Sequence, residues 1–186
     1  MIYVIRHGAT RLNSEGRLQG RDGEPLNELG VQQAKDLSDK LKGVKFDCVF
    51  SSPQQRAVQT AFIATGITPT IDNRLDVFDL GSADRLKKDE VSYALGGFIP
   101  DPTKYVGVEN PKAYFERVFS FLNDISKDST MKDKNILICG HKCTTACIAC
   151  YFKGMPKIEN VMDYSLKNGE FATYNNESYN EENNHI

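Results

Sequence analysis

The sequence predicts an α/β fold, a single domain arranged as a three-layer α/β/α sandwich around a mostly parallel sheet. Three observations carry the prediction. Short apolar runs of strand length occur at Ile2-Tyr3-Val4-Ile5, Cys48-Val49-Phe50 and Ile136-Leu137-Ile138-Cys139. The segments between and after them repeat apolar residues at helical spacing, which reads as strands alternating with helices. The chain has 186 residues, and at roughly 150 residues per domain a second domain is not expected.

Each element follows in order. Ile2 to Ile5 form a strand that delivers Arg6-His7-Gly8. Residues 8–26 are polar and glycine-rich and read as a loop, long enough to suggest a functional role. Asn27 reads as an N-cap with Glu28 in the first turn, and Val31, Ala34, Leu37 and Leu41 recur at helical spacing until Gly43 stops the helix. A second strand reaches Ser51. Ser52 with Pro53 then reads as the cap and first turn of a helix carrying Arg56, Ala57, Ala61 and Ala64 up to Gly66, with its N-terminus at the strand ends. From Thr70 to Glu109 the pattern weakens, with Gly96-Gly97, Pro100, Pro102 and a charged patch from Asp84 to Glu90 suggesting irregular structure and one short helix. Asn110-Pro111 opens a helix with Phe115, Val118, Phe119, Leu122 and Ile125 on its inner face. The strand ending in Gly140-His141 follows, then a helix from about Thr144 to Lys153 and a last strand around Gly169 to Tyr174. The domain is expected to span residues 1–174. Residues 175–186, nearly all Asn, Glu, Ser and Tyr, bury too little apolar surface to offset their ordering entropy and are expected to be a disordered tail.

The formal net charge is −2, with no Lys/Arg block, so a nucleic-acid surface is not expected. No segment approaches the roughly 20 apolar residues of a membrane span, and no signal-peptide pattern opens the chain. Five cysteines, four of them between Cys139 and Cys150, do not form a secreted disulfide pattern. A cytoplasmic, reducing location is the expectation. Oligomeric state is open.

In an open parallel sheet, ligands bind in the crevice past the carboxyl ends of the strands. Arg6, His7, Arg56 and His141 all fall at or just after such ends. Two guanidinium groups and two imidazoles in one crevice suit a compact, multiply charged anion such as phosphate, whose oxygens match the planar Arg fork.

Four motifs, in this order and on these elements, resemble the histidine phosphatase superfamily in its phosphoglycerate mutase-like branch. They are Arg6-His7-Gly8-Ala9-Thr10 with Asn13; Gly20 and Pro25-Leu26-Asn27-Glu28-Leu29-Gly30; Ser51-Ser52-Pro53 with Arg56, Gln59, Thr60 and Ala61; and Gly140-His141. The resemblance runs almost from end to end. It implies a metal-independent phosphomonoester hydrolase without cofactor, in which His7 attacks phosphorus and is transiently phosphorylated. Arg6, Arg56 and His141 would hold the phosphoryl oxygens. Asn13, Arg17, Gln19 and Gly20 would contact substrate, and Arg21 is a weaker candidate. The implied substrate is a small phosphorylated metabolite or a phosphohistidine-type group. Arginines beside two histidines, with no carboxylate pair, also make a poor divalent-metal site.

Many members carry a glutamate as general acid, and in this register its position is Val77. If the segment is extended, Asp79 shares a side with Val77 and is the expected replacement, with Asp84 behind it. Without such an acid the enzyme would favour good leaving groups, since general acid catalysis contributes about a hundredfold to ten-thousandfold. Ala9 and Leu12 also depart from the common Glu and Trp of the first motif, which bears on substrate identity. Two rival functions stand beside hydrolysis: a phosphoglycerate mutase-type phosphotransfer, and a phospho-ligand binding module that has lost its acid. Cys143, Cys147 and Cys150 have a C-x3-C-x2-C spacing similar to the cluster loop of radical S-adenosylmethionine enzymes. They also share one helix face, and packing as small buried hydrophobes is the expected reading.

Overall fold

The computed structural model describes residues 1–94, 99–155 and 160–175. It is an α/β domain around a five-stranded sheet in the order β3-β2-β4-β1-β5. The strands are β1 (Ile2–Arg6), β2 (Cys48–Ser51), β3 (Thr70–Ile71), β4 (Ile136–Gly140) and β5 (Phe171–Tyr174). The first four run parallel and β5 is antiparallel at the edge beside β1. Among the described residues five α-helices accompany them: α1 (Arg11–Ser14), α2 (Glu28–Lys40), α3 (Gln55–Thr65), α4 (Pro111–Lys127) and α5 (Lys142–Lys153).

The period of two along a strand sorts the apolar side chains onto two faces. Ile2, Val4, Ile136 and Ile138 pack with Val118, Leu122, Ile148 and other residues of α4 and α5. Ile5, Leu137, Cys139 and Val49 pack with Leu37 of α2 and Ala57, Ala61 and Ala64 of α3. Both faces are therefore covered, which is why these strands read as unbroken apolar runs. Full burial of a side chain such as Leu37 or Ile138 contributes about 1.5–3 kcal/mol, and both are wholly buried.

The caps behave as their chemistry dictates. Asn27 Oδ1 accepts the Gly30 N–H at 2.8 Å, and Asn110 Oδ1 accepts the Lys112 and Ala113 N–H groups ahead of a helix with proline in its first turn. The start of α3 requires a correction. The helix begins at Gln55 with Gln54 in the N-cap position, so Ser52 stands outside it, its hydroxyl oxygen accepting the Gln54 N–H at 3.3 Å and lying 2.7 Å from His141 Nε2. Residues 8–26 are not wholly loop either. Thr10 and Asn13 form a reciprocal capping box that nucleates α1. The 70–109 region holds β3 and 3-10 turns at Asn73–Leu75 and Gly81–Ala83. Gly96-Gly97 and the expected tail beyond Asn175 lie outside the described residues.

Register positions the site. Arg6 pairs with Gly140 and Ser51 with Cys139, so His7, His141 and Ser52 leave the three central strands in one row. The chain then passes close over α2: a Cβ on Gly8 would lie 2.3 Å from the Gly30 carbonyl oxygen, so only glycine permits this approach. Thr60 of α3 fastens the same turn, accepting the Gly8 N–H at 3.0 Å and donating to the Arg56 carbonyl at 2.7 Å. Among the described residues, no helix is long and apolar enough to cross a membrane.

Candidate active site

A cleft with a cavity volume of about 310 Å³ opens past the carboxyl ends of β1 and β4. Arg6, His7, Asn13, Arg17, Gln19 and His141 line it. The two imidazoles sit with ring centroids 5.1 Å apart. His7 Nδ1 lies 2.7 Å from the Gly8 carbonyl oxygen, an atom that only accepts, so Nδ1 carries the ring hydrogen. Its Nε2 is left with a free lone pair. Burial, then the Arg56 and Arg6 charges, hold the His7 pKa well below the usual histidine range. Burial and the Arg56 charge do the same for His141. Both rings are neutral near pH 7.

Arg6 donates from Nη1 to the Leu166 carbonyl at 2.9 Å, and Arg56 donates from Nη2 to the Gly20 carbonyl at 3.0 Å. Burial pushes both guanidinium pKa values down to about 10. Arg56 lies behind the cleft wall, 1% exposed, yet close enough to act on both histidines. His141 Nε2 stands 2.7 Å from the Ser52 hydroxyl, which also lies 3.5 Å from Asp76 Oδ1.

Four buried side-chain polar atoms among the described residues have no partner: Arg6 Nε, Gln19 Nε2, Arg56 Nε and His141 Nδ1. Arg6, Gln19 and His141 line the cleft, and Arg56 lies behind its wall. Each unsatisfied buried group costs about 1–3 kcal/mol, and three of the four sit on cleft-lining residues, where an acceptor-rich ligand would relieve that cost.

The structure brings Asn13, Arg17 and Gln19 to the cleft as expected. Asn13 Oδ1 takes the Thr10 N–H, and Gln19 Oε1 takes the Thr10 hydroxyl. Arg17 is braced by Glu15 at 2.9 Å and the Arg85 carbonyl at 3.0 Å. Gly20 has a different position from the one expected. It does not line the cleft, and its carbonyl holds Arg56 from behind.

The expectation for Asp79 is corrected too. The 76–79 segment is not a regular strand, and Val77, Phe78 and Leu80 all face the cleft. Alternation therefore fails as a guide. Asp79 turns away, accepting the Gly81 N–H at 2.9 Å and pairing with Arg21 at 3.1 Å. Asp84 accepts the backbone N–H groups of Gly20, Asp22 and Arg85, a clasp for the loop. Arg21, held by Asp76 and Asp79, is likewise not at the cleft. No Asp or Glu lines the cleft among the described residues.

Several contributors carry no signal in the sequence. Leu18, Phe78, Leu80, Tyr114 and Phe115 give the cleft an apolar wall beside Val77. Arg117 clamps the Val77 segment, donating to the carbonyls of Arg74, Asp76 and Val77 at 2.8, 2.9 and 3.0 Å while Glu109 pairs with it at 2.8 Å. Lys88 and Lys142 also line the cleft. Lys142 could have been found, because it directly follows Gly140-His141; Lys88 sits in a charged patch without any distinguishing pattern. Gly23 is packed against Arg56, where a Cβ would lie 1.9 Å from Nη1. Of the three cysteines on α5, Cys147 and Cys150 are buried in the core and Cys143 lines the cleft. Among the described residues no group of three or more His, Cys, Asp or Glu side chains could hold a metal ion.

Comparison with known proteins agrees with this geometry. Residues 2–181 match the family model of the histidine phosphatase superfamily, branch 1. A curated protein of Hydrogenobacter thermophilus named phosphoserine phosphatase 2 is 29% identical over 180 residues, covering 90% of this chain and 85% of that protein. The alpha-ribazole phosphatase from Shigella flexneri superimposes with a TM-score of 0.74 at 25% identity, covering 91% of this chain and 87% of the other. A phosphoglycerate mutase from Thermus thermophilus does so with a TM-score of 0.70 at 26% identity, covering 91% and 90%. With its paired strand-end histidines, its buried arginines and a match over nearly its whole length, the chain belongs to the histidine phosphatase superfamily, branch 1.

Proposed function

We propose that the protein is a phosphomonoester hydrolase that works through a phosphohistidine on His7 and favours substrates with good leaving groups. The observation that carries the reading is a cleft lined by Arg6, Gln19 and His141, each with an unpartnered buried polar atom, beside a histidine whose Nε2 lone pair is free. A phosphoryl group supplies the missing acceptors. The Nε2 pair attacks phosphorus, the P–O ester bond breaks, and its electrons leave on the departing oxygen. Water then cleaves the P–N bond, releasing inorganic phosphate and restoring the neutral imidazole.

Arg6 and Arg56 meet the charge that spreads over the equatorial oxygens, and they do so in a buried setting where such contacts are strong. Ser52 has one hydroxyl proton to give. Donated to His141 Nε2 at 2.7 Å instead of to Asp76 at 3.5 Å, it leaves the ring hydrogen on Nδ1, so His141 donates to the phosphoryl group. Asn13 and Gln19 add amide donors from the loop. Among the described residues no side-chain acid stands at the cleft, where Val77 occupies the position expected for one, so the leaving group departs with little help. Nothing in this scheme requires a metal. Five free cysteines fit a reducing cytoplasm.

The test is steady-state hydrolysis of an aryl phosphate in excess chelator by wild type and His7→Ala, with protein quenched in alkaline denaturant and assayed for phosphohistidine. Turnover in wild type alone, with a trapped phosphoprotein, is expected. Turnover surviving in His7→Ala would overturn the nucleophile. Phosphate-ester binding without turnover in wild type would instead favour a binding module.

A further inference from the structure

We propose that the substrate's leaving group is an apolar body carrying a second anionic group, which Lys88 and Lys142 receive at the mouth of the cleft. The inference rests on the reading above for the position of the phosphoryl group and goes beyond it by naming the class of ester.

The argument begins with charge. A phosphoryl dianion is balanced by Arg6 and Arg56 while both histidines are neutral. Arg17, also at the cleft, is already paired with Glu15. Lys88 and Lys142 remain, and neither has an ion pair among the described residues. Among the described residues no carboxylate lines the cleft to neutralise them. They are moreover near Arg6 and near one another: partial withdrawal from water, then the Arg6 and Lys142 charges, push the Lys88 pKa below its ordinary value. Three cations in one cleft repel one another, and an anionic ligand group relieves that repulsion.

Elements that are far apart in sequence hold the two lysines in place. Lys88 donates its backbone N–H to the Gly16 carbonyl at 3.1 Å, and Leu18 donates to the Leu86 carbonyl at 2.8 Å, so the 86–88 segment is stitched to the loop that lines the cleft. Lys142 is the first residue of α5, next to His141. The same cleft is lined by Leu18, Val77, Phe78, Leu80 and Phe115. Such a wall favours an aromatic or branched aliphatic body over a short, fully hydrated one.

The test measures binding, which does not depend on turnover. Isothermal titration would use three probes: benzylphosphonate, para-carboxybenzylphosphonate and para-xylylene bisphosphonate. A second anion received by two lysines is expected to tighten binding about tenfold over benzylphosphonate, the equivalent of about one charge-assisted hydrogen bond. Tightening by the bisphosphonate alone identifies a phosphate as the second group; tightening by the carboxylate probe identifies a carboxylate. In the Lys88→Gln/Lys142→Gln double variant the ratio of affinities is expected to fall to near unity, and Lys88→Arg/Lys142→Arg is expected to restore it. A ratio near unity in wild type for both probes with a second anionic group, or an undiminished ratio in the double glutamine variant, overturns the proposal while leaving the phosphatase reading standing. Failure of benzylphosphonate and both other probes to bind overturns the phosphate cradle, and the second-anion site with it.

Discussion

Replacing Val77 with glutamate should install a carboxylic proton donor in a cleft whose described lining has none. Val77 is 4% exposed and faces a cavity of about 310 Å³, so the longer side chain extends into open cleft and not into packed core. Its backbone is held independently, since Arg117 takes the carbonyls of Arg74, Asp76 and Val77. Exchanging a buried isopropyl group for a carboxyl costs about 1–2 kcal/mol of stability, which a domain of this size tolerates. General acid catalysis contributes about a hundredfold at its lower bound, or about 2.7 kcal/mol of transition-state stabilisation. That contribution falls on esters of poorly leaving alcohols and hardly at all on nitrophenyl esters. The kcat/KM ratio of an alkyl to an aryl phosphate is therefore expected to rise about a hundredfold in Val77→Glu and to stay unchanged in Val77→Gln, which has the size without the proton. The gain should also fade as pH rises through the new carboxyl's pKa, because the acid must be protonated to act. Equal effects of Glu and Gln, or an equal rise for alkyl and aryl esters, would refute the reasoning.

Two further predictions follow from the same geometry. His7 and His141 have folded-state pKa values well below the ordinary 6.5, so below that pH the unfolded chain binds more protons than the folded one. Stability should fall as pH drops from about 6.5 toward the folded values, by up to about 1.4 kcal/mol per pH unit for each histidine. Urea unfolding across this range should show the slope reduced in a His7→Gln/His141→Gln variant; an unchanged slope would assign it elsewhere. Gly23→Ala would place a Cβ 1.9 Å from Arg56 Nη1, at the movable end of a long side chain. The fold should survive with little change in Tm, while displacement of the guanidinium lowers kcat/KM for an aryl phosphate about ten- to a hundredfold. Full activity in Gly23→Ala would show that the exact seat of Arg56 is unimportant.

The elements and the chemistry at the strand ends are legible in the chain alone. Continuous apolar runs such as Ile136 to Cys139 suit strands covered on both sides, and Asn27 and Asn110 mark helix starts because an Asx side chain meets unpaired N–H groups. Arg6, His7 and His141 are legible because they directly follow such runs, and a strand end has one address in a parallel sheet. A local period does not carry over into irregular chain. Alternation places Asp79 beside Val77, but the segment's conformation is imposed by Arg117 and Glu109, far along the chain, and by Arg21 from the opposite direction. Ser52 reads as a helix cap from its neighbours in sequence; its hydroxyl is taken by His141, brought there by the pairing of β2 with β4.

Local propensity and periodicity act over a few residues, so they set which segments become strands or helices and which side chains stand at their ends. Packing of the elements is what seats Arg56 against Gly20 and Gly23, turns Val77 toward an apolar wall without an acid, and brings Lys88 into one cleft with Lys142. Those outcomes depend on contacts between residues distant in the chain, which form only when the elements come together.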